Sequence, residues 1–114
     1  MSIFHIATAE AWAAANEAGT DYRPEAFDAD GFVHCSLAGQ VAGTLTGWFA
    51  GRDGLVLLEI DPAPLGDALV IEAGSLGEAD RFPHVYGPIP LHAVVAANPL
   101  SRDANGRHAL SHLI

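Results

Sequence analysis

The segment Leu55-Val56-Leu57-Leu58-Glu59-Ile60 sets the architecture. It is short, nearly continuous in apolar residues, and closed on one side by the turn pair Asp53-Gly54 and on the other by Pro62 and Pro64. A run of this length and composition reads as a strand with both faces covered, hence a central one. Everything around it must supply neighbours on each edge and a layer on each face.

Downstream, Leu69-Val70-Ile71-Glu72 predicts a fourth strand, followed by a polar loop from Gly74 to Asp80. Arg81-Phe82-Pro83-His84-Val85-Tyr86-Gly87-Pro88 is bounded by prolines, which lack amide donors, so it is expected at a sheet edge or on a loop. Leu91 to Ala97 predicts a last strand, and the tail from Asn98 to Ile114 is expected to form a short helix packed on the body. Upstream, Leu37, Val41, Leu45 and Trp48-Phe49 lay one apolar stripe along a helix that Gly51 ends, with Ser36 as its N-cap candidate. Gly31 opens a strand, Phe32-Val33-His34-Cys35, and Thr20 to Asp30 reads as an acidic loop with a helical turn near Phe27. At the start, Ile3-Phe4-His5-Ile6-Ala7 predicts a strand with Phe4 and Ile6 on one face and Ile3, His5 and Ala7 on the other. Thr8 can cap a helix from Ala9 to about Ala18, and Gly19 can stop it. Two strong helices cannot cover both faces of a doubly wound sheet. The expectation is an α+β fold with a mixed or largely antiparallel sheet.

The chain has 114 residues, which suits a single domain (1–114) with a compact body to about residue 99 and an extension over 100–114. Half of its residues are hydrophobic, so a packed core needs no metal or disulfide staple. Cys35 is the only cysteine, which excludes an internal disulfide and favours a reducing compartment. No signal peptide and no bilayer-spanning run are visible, so a cytoplasmic protein without a membrane partner is expected. Five Arg, no Lys and fourteen acidic residues give a formal charge of −9. Such a surface repels phosphate backbones, which argues against duplex nucleic acid as a partner. A small phosphorylated ligand held by one Arg or a helix N-terminus stays open.

Three features have the makings of a site. His5 lies inside an apolar strand and needs either a hydrogen-bond partner or a cleft. His34 and Ser36 stand where a strand runs into a helix, a junction that presents side chains and backbone amides to a ligand. Cys35 alternates with Val33 toward the apolar side, where a thiol is inert. Arg81, His84, Tyr86 and Gly87 fall within a few residues; His84 and Tyr86 share one face, the tyrosine ring can stack on a base, and Arg81 can pair with phosphate or carboxylate. Of the six histidines, His108 and His112 have helical chelate spacing but no third ligand nearby. A zinc site from His5, His34 and His84 requires three strands to converge, and no metal is expected. Walker, GxGxxG and GxSxG patterns are absent.

Ile3-Phe4-His5-Ile6-Ala7, Gly31-Phe32-Val33-His34-Cys35-Ser36, Leu57-Leu58-Glu59-Ile60-Asp61 and Phe82-Pro83-His84-Val85-Tyr86-Gly87-Pro88-Ile89 together carry a resemblance. To about Pro99 the chain resembles the bacterial family called domain of unknown function family 952. That resemblance implies a small split-sheet fold similar to ADP-ribosyltransferase-like domains, which bind NAD between two sheet halves. It implies that His5 contacts the nicotinamide ribose, that His34 stacks near the nicotinamide, and that His84 and Tyr86 line the cleft. Such folds often use a late-strand Glu; none stands between His84 and Pro90, and Glu59 and Glu72 are the only strand carboxylates. The expected function is therefore an NAD- or ribonucleotide-handling enzyme with catalytic His5, His34 and His84, and with Ser36, Arg81, Tyr86 and Gly87 holding the nucleotide. Two alternatives stand beside it: a noncatalytic small-ligand or partner-binding domain, and a hydrolase with a histidine-bound metal.

Overall fold

The computed structural model describes residues 1–74, 80–110 and 113. Strand β1 (Ile3–Thr8) passes directly into helix α1 (Ala9–Ala18). The Thr8 hydroxyl accepts from the Ala11 amide at 3.1 Å, and Gly19 closes the helix in the left-handed region at φ 68°. One helical turn, α2 (Phe27–Asp30), precedes the two-residue strand β2 (Val33–His34). A 3-10 turn (Ala38–Gln40) leads into α3 (Val41–Trp48), then β3 (Leu55–Ile60), a second 3-10 segment (Ala63–Ala68) and β4 (Leu69–Ala73). β5 (Arg81–Val85), a 3-10 turn (Leu91–Ala93) and β6 (Val94–Leu100) follow.

The strands form two antiparallel three-stranded sheets, β1-β3-β6 and β2-β5-β4. The fold is α+β, as expected. β3 is central, with Ile3 opposite Ile60 on one side and Leu55 opposite Leu100 on the other. Both its faces are covered. Val56, Leu58 and Ile60 join a core with Ile3, Ala7, Val33, Val85 and Ile89, while Leu55 and Leu57 pack with Phe4, Ile6, Val41 and Leu45 of β1 and α3. The second sheet packs on the first through Val33 and Val85, and a backbone bridge ties them where Phe4 and Ser36 exchange both hydrogen bonds, at 2.8 and 2.7 Å.

Three expectations need correction. Arg81-Phe82-Pro83-His84-Val85 is the middle strand of the second sheet, not an edge or loop. Antiparallel pairing turns both polar groups of a residue toward the same neighbour. Cys35 donates to the Pro83 carbonyl at 3.0 Å, so the missing proline N–H faces the β2 side, just past the end of that short strand, where the ladder already stops. Ser36 does not cap a helix. Its hydroxyl lies 3.0 Å from that of Thr44 on α3, and the Leu37 amide is satisfied instead by Gln40 Oε1 at 2.9 Å. The tail is not a helix among the described residues: β6 runs to Leu100, Arg102 and His108 form a bridge around a turn at Asp103, and Leu110 and Leu113 pack on the β1–α3 core. Part of the Gly74–Asp80 loop, and His112 of the His108–His112 pair, lie outside the described residues.

Candidate functional site

The two faces of the second sheet differ in chemistry because side chains alternate along each strand. Val33 and Cys35 with Pro83 and Val85 turn inward, and all four are buried. Phe32, His34, His84 and Tyr86 turn to the opposite face. Register then decides who meets whom: His34 lies directly opposite His84, whose other neighbour is Val70 on β4. Two residues further along β4, Glu72 reaches His84 diagonally.

The rings make one cluster. Phe32 stacks on His84 with centroids 4.1 Å apart and 23° between planes. It also lies 4.6 Å from His34 and 5.2 Å from Tyr86. The two imidazoles meet edge to face at 5.5 Å. Each histidine has its own carboxylate. His34 Nε2 donates to Asp30 at 2.9 Å, and His84 Nδ1 donates to Glu72 Oε2 at 2.8 Å. The Tyr86 hydroxyl also donates to Glu72 Oε2. These contacts, Tyr86 first and then His84, hold the Glu72 carboxyl below its usual range, and the same bond raises the tyrosine. Glu72 therefore stays ionised at neutral pH with Oε1 turned to neither partner. In each neutral imidazole the carboxylate takes the N–H, which leaves His34 Nδ1 and His84 Nε2 as the basic nitrogens. His34 is half exposed, whereas His84 is buried beneath Phe32.

His5 stands apart from this face. Its Nδ1 lies 2.6 Å from the His34 carbonyl oxygen, which can only accept, so Nδ1 carries the proton. Nε2 then accepts from the Tyr22 hydroxyl at 2.9 Å. Both ring nitrogens are engaged and the side chain is buried, and this desolvation pulls its pKa down to about 4. Burial likewise pushes the Tyr22 hydroxyl up. His5 is thus a neutral histidine that fixes the backbone of His34 from behind.

The other expected residues divide similarly. Ser36 is buried at the junction of the sheets. Cys35 is buried and pushed up to about 12, an inert thiol. Arg81 opens β5 on the alternation shared by Pro83 and Val85, opposite to the ring cluster. Gly87 follows Tyr86 in open space, where an added Cβ would meet nothing within 4 Å. Sequence reasoning missed Phe32, Asp30 and Tyr22 as contributors. The alternation Phe32-Val33-His34 was the available signal for Phe32; Tyr22 gave none, because it sits in an acidic loop and is buried by distant partners, its backbone bridged to Ile89 and its ring against His5 and Trp12. Among the described residues, no three His, Cys, Asp or Glu side chains are arranged to hold a metal ion. None of the described helices is long and apolar enough to cross a membrane.

Fold and site together define an α+β domain whose second sheet exposes a face of histidines, carboxylates and aromatic rings. The chain belongs to the family described as Protein of unknown function (DUF952), which matches residues 6–97. It is similar to the crystal structure of protein CC0527 from Caulobacter crescentus, with 36% identity, 96% of this chain and 95% of that one covered, and a TM-score of 0.85. The solution NMR structure of CC0527 from the same organism gives 35% identity, 99% and 96% coverage, and a TM-score of 0.84. No curated protein shows a significant match.

Proposed function

We propose that the face formed by Phe32, His34, Glu72, His84 and Tyr86 is an active site for a ribosyl ligand, as in an NAD- or ribonucleotide-handling enzyme of ADP-ribosyltransferase-like fold. The observation that carries this reading is the position of Glu72: an ionised carboxylate bonded to His84 and Tyr86, whose rings lie against Phe32. A late-strand acid is what such chemistry needs and what the linear sequence left unassigned. Phe32 and Tyr86 offer ring faces to a planar base. Glu72 Oε1 suits a ribose hydroxyl, and the carboxylate stabilises the positive charge that develops on the sugar as its glycosidic bond breaks. In that step the C1′–N bond cleaves, the base leaves with the electron pair, and a water or other hydroxyl adds at C1′. His34 Nδ1 takes the proton released by the incoming oxygen, with Asp30 steadying the imidazolium. His84 and Tyr86 orient Glu72 rather than touch the sugar, and His5 sets the His34 backbone.

The nucleotide portion of NAD fits less well than its ring. Arg81, the residue expected at a phosphate, belongs by alternation to the other face of β5. Ligand-observed NMR with NAD, ADP-ribose and nicotinamide, repeated on His34→Ala, tests the reading. Binding to the parent that vanishes in the variant, with nicotinamide released from NAD, supports an enzyme. Binding without product makes it a noncatalytic binder. If none of the three binds, and nicotinamide riboside does not bind either, the ribosyl reading fails.

A further inference from the structure

The chain has only five side chains that are cationic at neutral pH, all Arg, and none of them joins the ring cluster. Arg23 pairs with Asp28 and lies 4.8 Å over the Phe27 ring. Arg52 lies 5.2 Å over Phe49. Arg102 makes a two-pronged bond to Asp53 at 2.7 and 2.9 Å. Arg107 belongs to the Asp103 turn, and Arg81 to the opposite alternation of β5. The cluster itself carries two carboxylates, Asp30 and Glu72, and two aromatic faces, Phe32 and the exposed Tyr86.

Carboxylates beside aromatic faces, paired with imidazoles and with no Arg or Lys among them, attract a positive ring and repel a phosphate. Resting on the ribosyl reading above, we propose that this face selects a planar, permanently cationic heteroaromatic nucleoside, such as an N-alkylated pyridinium riboside, and discriminates against phosphorylated ligands. Ring quadrupoles of Phe32 and Tyr86 hold the cation from its faces, and Glu72 Oε1 meets it at the edge. The ligand's charge, rather than the identity of its base, is the recognised feature. A formal charge of −9 strengthens the preference by drawing cations toward the surface.

A redox pair isolates that feature. Nicotinamide riboside is cationic; its dihydro form has nearly the same outline and no charge. Calorimetric titration of the full chain at neutral pH should show the cation binding about tenfold more tightly than the dihydro form, the scale of a partly desolvated cation–π contact. Glu72→Gln should reduce that difference, and Phe32→Leu should weaken the cation while leaving the fold's circular dichroism unchanged. Equal affinity for the two forms overturns the charge preference and leaves the ribosyl reading standing. So does ADP-ribose binding more tightly than either riboside, or a Glu72→Gln variant that keeps the full difference. Failure of every ribosyl probe to bind takes both down together.

Discussion

The two sheets are built to the same plan, three antiparallel strands each, yet their central strands could hardly differ more. In the first, β3 is aliphatic apart from Glu59 and packed on both faces. In the second, β5 carries an arginine, a proline and a histidine, and only one of its faces meets the core. Burial on two faces leaves no room for polar groups without partners, so β3 contributes stability and little else. A strand with one open face can afford chemistry, because water or a partner side chain satisfies whatever points outward. Within one small domain, cohesion and function are thus assigned to different sheets.

The largest test of that division is Leu58→Ala. Leu58 is fully buried, and truncation should cost about 3 kcal/mol of unfolding free energy in urea. Ile71→Ala, on the exposed edge strand of the other sheet, should cost under about 1 kcal/mol. Comparable losses would break the comparison.

Next in size is the pH response of His5. Its folded pKa is depressed from 6.5 to about 4, so the unfolded chain takes up this proton first. Stability from this group is complete above pH 6.5 and falls as pH drops toward 4, by about 3 kcal/mol in all. His5→Gln should be less stable than the parent at pH 7, and the gap should narrow by roughly that amount at pH 4. A constant gap would show that His5 is not held neutral.

Smaller again is Ser36→Ala, which removes the hydroxyl contact to Thr44 at the junction and should cost about 1 kcal/mol in the same melts. The smallest effect on stability belongs to Glu72→Gln, since Glu72 is on an open face. Its signature is local: ¹⁵N spectra of His84 should lose the preference for the Nδ1–H tautomer that Glu72 imposes. An unchanged tautomer would remove Glu72 from the site.

Legibility in the sequence followed the range of the interactions. The Thr8 cap, the Gly19 stop and the β3 run are decided within a few residues, and each is found where expected. The inward turn of Cys35 and the shared face of His84 and Tyr86 follow from alternation alone. Pro83 misled because the rule against central prolines assumes a full ladder on both sides, and β2 ends before it. Glu72 could not be assigned, because its pairing with His84 depends on the β4–β5 register across a loop. His5 looked equally suited to a cleft or a core; Tyr22, seventeen residues away, decides between them.

Where the backbones of Phe4 and Ser36 touch, β1 and the segment just beyond β2 hold each other directly. At the adjacent position they do so through an imidazole, with His5 reaching the carbonyl that a backbone amide would otherwise have met. A side chain standing in for a rung makes strand separation a matter of side-chain length. His5 is in that sense a spacer, and a shorter hydrogen-bonding residue there would draw the second sheet inward and tilt His34, and everything stacked on it, by the difference.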